Sequence, residues 1–119
     1  YTVAKEFKVD QFDIIVDWTY EDYSVRDCFD ETEEEFAEME RRLDAYIDTH
    51  YIARVRAMYD GVELGCATLG SCYARDCSPE DDINNGIGGY LADMVDEAVD
   101  DAREEAVAML QRLKEDFLN

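Results

Sequence analysis

The stretch from Gly89 to Phe117 constrains the fold more than any other part of the chain. Apolar residues recur at Leu91, Met94, Val95, Ala98, Ala102, Ala106, Met109, Leu113 and Phe117, the three-and-four spacing of one helix face. A stripe of that length needs a long apolar layer beneath it, so the rest of the chain has to supply one. The opposite face is nearly all carboxylate. Asp93, Glu97, Asp101 and Glu105 form one i,i+4 row and Asp96, Asp100 and Glu104 a second, diluted between residues 93 and 105 only by Arg103. Like charges at this spacing destabilise a helix by about 0.2–0.5 kcal/mol per pair. A helix needing only solubility would interleave lysines.

The layer is legible upstream. Phe12, Ile14, Val16, Trp18 and Tyr20 alternate with Asp13, Ile15, Asp17, Thr19 and Glu21, which predicts a half-buried strand with a mostly acidic outer face. Residues 3–9 read as a short strand or a loose lead-in. Thr32 and Glu35 fit a reciprocal capping box, so a helix should begin near Thr32, bury Phe36, Met39, Leu43, Tyr46 and Ile47, and end around Asp48 to His50. Asp60-Gly61 is the strongest hairpin signal, because a type I′ turn needs positive φ at both central residues. It joins strands Tyr51–Tyr59 and Val62–Tyr73, with Tyr59 opposite Val62, Ala57 opposite Leu64 and Val55 opposite Cys66 on the core face. Gly65 and Gly70 predict a bulge or a close approach. Residues 74–89 read as a polar loop. The expectation is an α+β fold with one domain over 1–119: an antiparallel sheet of three or four strands, two helices packed on one face, order β-α-β-β-α, and a long acidic C-terminal helix.

Charge bounds the partners. The chain of 119 residues carries 31 acidic and 11 basic groups, net −20. The acidity is uneven: residues 30–50 are net −7 and residues 93–119 net −6, whereas the hairpin, 51–77, is neutral. Such a surface repels nucleic acid and anionic membranes and attracts basic proteins or cations, and self-repulsion should make stability rise with salt. No run approaches the roughly 20 apolar residues of a membrane-spanning helix, and no stretch reads as a signal peptide. Cys28, Cys66, Cys72 and Cys77 therefore suggest free thiols in a cytosolic protein over two disulfides in an exported one.

Chemical sites are weakly supported. Cys72-x4-Cys77 barely fits a zinc knuckle, lacks a second pair, and Cys66 is expected in the core. Asp81-Asp82-Ile83-Asn84-Asn85-Gly86 fails as an EF-hand, because aligning on Gly86 puts Ile83 third and Ala92 twelfth. Gly86-x-Gly88-Gly89 lacks the spacing and lysine of a phosphate loop. His50 is the single histidine, at a helix end, where a dipole-stabilised or exposed ring is expected rather than a catalytic one. The reading is of a non-enzyme without metal or cofactor. Trp18, Tyr20, Tyr23, Tyr73 and Tyr90 either fill the core or form an interface anchor.

Size, a charge of −20, the row Asp93/Glu97/Asp101/Glu105, and Glu34/Glu38 with Glu40/Asp44/Asp48 give a chain that resembles the small acidic anti-CRISPR and anti-restriction DNA mimics encoded by phages and mobile elements. Leu69-Gly70-Ser71-Cys72-Tyr73 and Tyr90-Leu91-Ala92-Asp93-Met94 also resemble segments of small phage proteins. The resemblance implies a stoichiometric inhibitor in the host cytosol that covers the basic groove of a nucleic-acid-binding defence complex or nuclease without itself binding nucleic acid or membrane. Asp93, Asp96, Glu97, Asp100, Asp101, Glu104, Glu105, Glu34, Glu38, Asp44, Asp13 and Asp17 would meet that partner. The competing expectation is a structural or adaptor protein whose acidity is incidental and whose aromatic surface or sheet edge mediates assembly.

Overall fold

In the computed structural model, which describes residues 1–118, four antiparallel strands lie side by side in sequence order: β1 (Thr2–Val9), β2 (Phe12–Tyr20), β3 (Thr49–Tyr59) and β4 (Val62–Ala74). Helices α1 (Val25–Cys28) and α2 (Glu33–Asp44) join β2 to β3. After β4 come α3 (Pro79–Asn84), a 3-10 turn at Ile87–Gly89 and the long α4 (Tyr90–Phe117). The fold is α+β, as expected, but the order is β-β-α-α-β-β-α-α.

Three departures have local causes. The lead-in is a full strand, closed onto β2 through Asp10 in the left-handed region at φ +54°; Asp tolerates that conformation, so no glycine marked the turn. Phe7 then faces Ile14 and Val9 faces Phe12. The loop at 74–89 contains α3, whose N-cap is Ser78, accepting from the Asp81 N–H at 3.1 Å, with Pro79 in the first turn. Buried aromatics anchor α3: the Trp18 indole donates to Glu80 at 2.8 Å and the Tyr51 hydroxyl to Asp82 at 2.5 Å.

The third departure is register. Asp60 and Gly61 both have positive φ, and Tyr59 pairs with Val62 as expected. Beyond a bulge the pairing slips by one residue, so Ala57 faces Gly65 and Val55 faces Ala67. A one-residue slip exchanges the faces. Ala67 enters the core, and Cys66 moves to the outer face opposite Arg56. The slip puts glycine where α4 crosses β4: a Cβ on Gly65 would lie 2.0 Å from the Ala98 carbonyl oxygen and 2.7 Å from the Ala102 nitrogen. A second irregularity at Gly70–Ser71, with the Ser71 N–H donating to Glu21 at 3.0 Å, returns Cys72 to the core.

Among the described residues the sheet's covered face is packed by α3, the 3-10 turn and α4. Ile14, Val16, Tyr51, Val55 and Ala57 from the strands meet Ile83, Leu91, Met94, Ala98 and Ala102 from above. The expectation that both predicted helices pack on this face is corrected at α2. It has the predicted capping box, with Thr32 and Glu35 exchanging bonds of 3.2 Å, but it packs against α1 and buries Met39 alone. It stops at Asp44 because Tyr46 turns to φ +59° and the Ile47 N–H returns to the Arg42 carbonyl at 2.9 Å, a Schellman closure. Tyr46 and Ile47 are consequently exposed.

Candidate partner-binding surface

Helix α4 is 28 residues long, about 42 Å at 1.5 Å per residue, and its acidic face points away from the sheet. Asp93, Asp96, Glu97, Asp100, Asp101 and Glu104 are exposed and Glu105 half-buried. Intramolecular cations reach two of the seven. Glu105 meets Arg112 at 2.9 Å, and Asp100 lies 3.7 Å from Arg103, which also binds Asp10. Asp93, Asp96, Glu97, Asp101 and Glu104 have no salt bridge among the described residues. Where α4 passes edge strand β4, Asp101, Glu104 and Glu105 border an open groove of about 810 Å³ whose other wall carries Glu63. Sequence reasoning missed Glu63 because the hairpin is neutral overall; the strand register sets it beside the helix.

The second expected ridge is largely neutralised. On α2, Glu38 bonds Arg41 at 2.6 Å, and that bond holds its carboxyl below the usual range. Arg26 takes Glu33 and Glu40, each at 2.6 Å. Asp48 is buried: burial alone would raise its pKa, but bonds from Arg42, the Tyr73 hydroxyl and the Asp76 N–H together bring it down to about 2. Glu34 and Asp44 remain exposed without an ion pair among the described residues. On β2, Asp13 is exposed and pairs with Lys8 at 2.9 Å. Asp17 corrects the sequence reading. It is 1% exposed, held bidentately by Arg54 at 2.8 and 2.7 Å and by Arg56 at 3.1 Å, and is not available to a partner. The alternation of β2 gave its face correctly; the cross-strand arginines of β3 close over it. The negative surface is therefore one ridge along α4, bordered by Glu63, which itself lies 3.9 Å from Arg56, with isolated carboxylates elsewhere.

Other candidate chemistry is dispersed. All four cysteines are free, and burial pushes the Cys72 thiol up to about 11, away from nucleophilic reactivity at neutral pH. Among the described residues no group of three or more His, Cys, Asp or Glu is placed to hold a metal ion. His50, expected at a helix end as a dipole-stabilised or exposed ring, is instead buried within β3, its ring centroid 5.6 Å from that of Phe29; desolvation lowers its pKa. Trp18 is buried and Tyr73 is bonded to Asp48, whereas Tyr20, Tyr23 and Tyr90 are exposed. Among the described residues no helix is long and apolar enough to cross a membrane. No family model, curated protein or solved structure matches the chain.

Proposed function

We propose that the chain is a stoichiometric inhibitor that lays the α4 ridge into the basic nucleic-acid-binding groove of a host defence complex or nuclease, in the manner of an anti-CRISPR or anti-restriction DNA mimic. One observation carries the reading: Asp93, Asp96, Glu97, Asp101 and Glu104 are exposed along one helix and have no salt bridge among the described residues. Over residues 93–105 the helix rises about 18 Å and carries seven carboxylates, against roughly ten phosphates on the same length of duplex. Lysines and arginines spaced to meet a phosphate backbone would find carboxylates at comparable intervals. Encounter would be steered by charge, and the complex would weaken with salt. Occupancy of the groove is itself the inhibition, so no bond need be made or broken.

The test is displacement of a fluorescent DNA duplex from purified CRISPR effector complexes and restriction nucleases, followed by anisotropy. Displacement should saturate at one chain per DNA site and weaken between about 100 and 400 mM NaCl. The variant Asp93→Lys/Glu97→Lys/Glu104→Lys, with native circular dichroism, should lose at least about a hundredfold in potency, as expected when several steered charge contacts are reversed. Undiminished potency in that variant, or displacement indifferent to salt, overturns the proposal.

A further inference from the structure

The apolar stripe of α4 does not end where the sheet ends. Through Leu91, Met94, Ala98 and Ala102 it is buried. Toward the C-terminus the same kind of spacing continues, yet Val107 is 69%, Leu110 54%, Leu113 49% and Phe117 75% exposed. The overhang is also where the charge stops. Residues 106–118 carry Arg112 and Lys114 against Glu115 and Asp116, net zero, in a chain of −20. Here two copies of this chain can approach without opposing rows of carboxylates.

We infer that the projecting end of α4 is a homodimer interface, in which two copies of the helix pair antiparallel about a two-fold axis between Leu110 and Leu113. The seam Ala106, Leu110, Leu113, Phe117 has spacings of four, three and four, which read the same in both directions. An isologous contact requires that self-complementarity. With this axis Leu110 meets the partner's Leu113, and Ala106 meets the partner's Phe117. Ala106, Leu110 and Leu113 line one wall of an open apolar groove of about 290 Å³ between α4 and the β3–β4 hairpin tip, whose other wall is Tyr59, Val62 and Leu64. The most exposed ring of the overhang thus arrives at a small residue inside the apolar recess of the other copy. Ala106 to Leu118 spans about 18 Å on a helix about 10 Å across. Even with the hairpin tip added, that is less than the roughly 800 Å² per partner of a standard interface, so the dimer is a weak, concentration-dependent one.

The full chain in sedimentation equilibrium tests this. A monomer–dimer equilibrium should appear in the micromolar range and shift toward dimer as NaCl rises, because salt screens repulsion between copies. That dependence is opposite in sign to the one expected for the inhibitory complex, so the two ideas fail separately. Leu110→Lys and Leu113→Glu, both at exposed positions, should each be monomeric. Mixed in equal amounts they should associate again, since the antiparallel register sets Lys at 110 against Glu at 113 of the other copy. A wild-type chain that stays monomeric at millimolar concentration in high salt overturns the inference. Single variants that still dimerise, or a mixture that does not recover association, also overturn it.

Discussion

Gly65 joins sequence to packing most directly. With Ala98 O and Ala102 N at 2.0 and 2.7 Å from where its Cβ would be, Gly65→Ala cannot be accommodated by side-chain rotation, because the obstacles are backbone atoms. The helix must lift, at the upper end of the about 1–3 kcal/mol usual for overpacking, and thermal denaturation should show Gly65→Ala as far less stable than Gly70→Ala, whose Cβ would meet only the Glu21 side chain, at 3.4 Å. At Asp48 the consequence is a pH dependence. Its pKa in the fold, about 2, lies below the ordinary carboxylate value because Arg42, Tyr73 and Asp76 outweigh its burial. A depressed pKa contributes stability that is present above the unfolded value and lost as pH falls toward the folded one. The chain should therefore lose stability between about pH 4 and 2, and Asp48→Asn, less stable at pH 7, should show a shallower loss over that window in urea titrations. A wild-type profile no steeper than that of Asp48→Asn would remove this role.

At the level of elements, what the sequence made legible depended on whether the signal was local. The capping box at Thr32, the Asp60-Gly61 turn, the alternation of β2 and the long stripe of α4 are each written within a few residues, and each is present. Register was not legible: Cys66 was expected on the core face and Ala67 takes that place, because a bulge leaves Leu64 unpaired, though still packed against the core, and sets Gly65 against α4, a contact between segments more than thirty residues apart. The first turn lacked a glycine, and α3 is short, though Ser78-Pro79 before an acidic turn was a usable signal. Of the candidate site, the α4 carboxylates were legible because helix periodicity alone puts them outside. Asp17 was not, since its burial comes from arginines on the neighbouring strand, 37 and 39 residues further along the chain. The same distinction yields a prediction for α2. Because only Met39 is buried on it, removing its cap by Thr32→Ala, worth about 1 kcal/mol, should open the helix locally. Hydrogen exchange should accelerate at residues 33–44 while β2 and β3 stay protected, and equal acceleration in both would mean that α2 is integral to the core.

The whole molecule combines two features that a chain of this size normally avoids. Its extents are 66 × 25 × 21 Å and its Cα radius of gyration is 17.9 Å, whereas a compact chain of this length comes to about 13–14 Å. The 28-residue α4, about 42 Å long, and the α1–α2 pair set off the sheet both lengthen the body. Its charge of −20 is spread over that elongated body, which separates like charges more than a sphere would and concentrates them along one ridge. Seven of the eight arginines, Arg26, Arg41, Arg42, Arg54, Arg56, Arg103 and Arg112, already stand in ion pairs, and the eighth, Arg75, lies over the Tyr73 ring, away from the α4 ridge. Added salt weakens those pairs, but exposed pairs contribute about 0–1 kcal/mol each, and the unpaired carboxylates outnumber them. Repulsion therefore dominates the response. The melting temperature should rise by several degrees between about 50 and 500 mM NaCl, and the gain should shrink in Asp93→Lys/Glu97→Lys/Glu104→Lys, which removes part of the ridge. A melting temperature that falls with salt would mean that the ion pairs, and not the ridge, govern stability, and that the carboxylates of α4 are better solvated than their crowding implies.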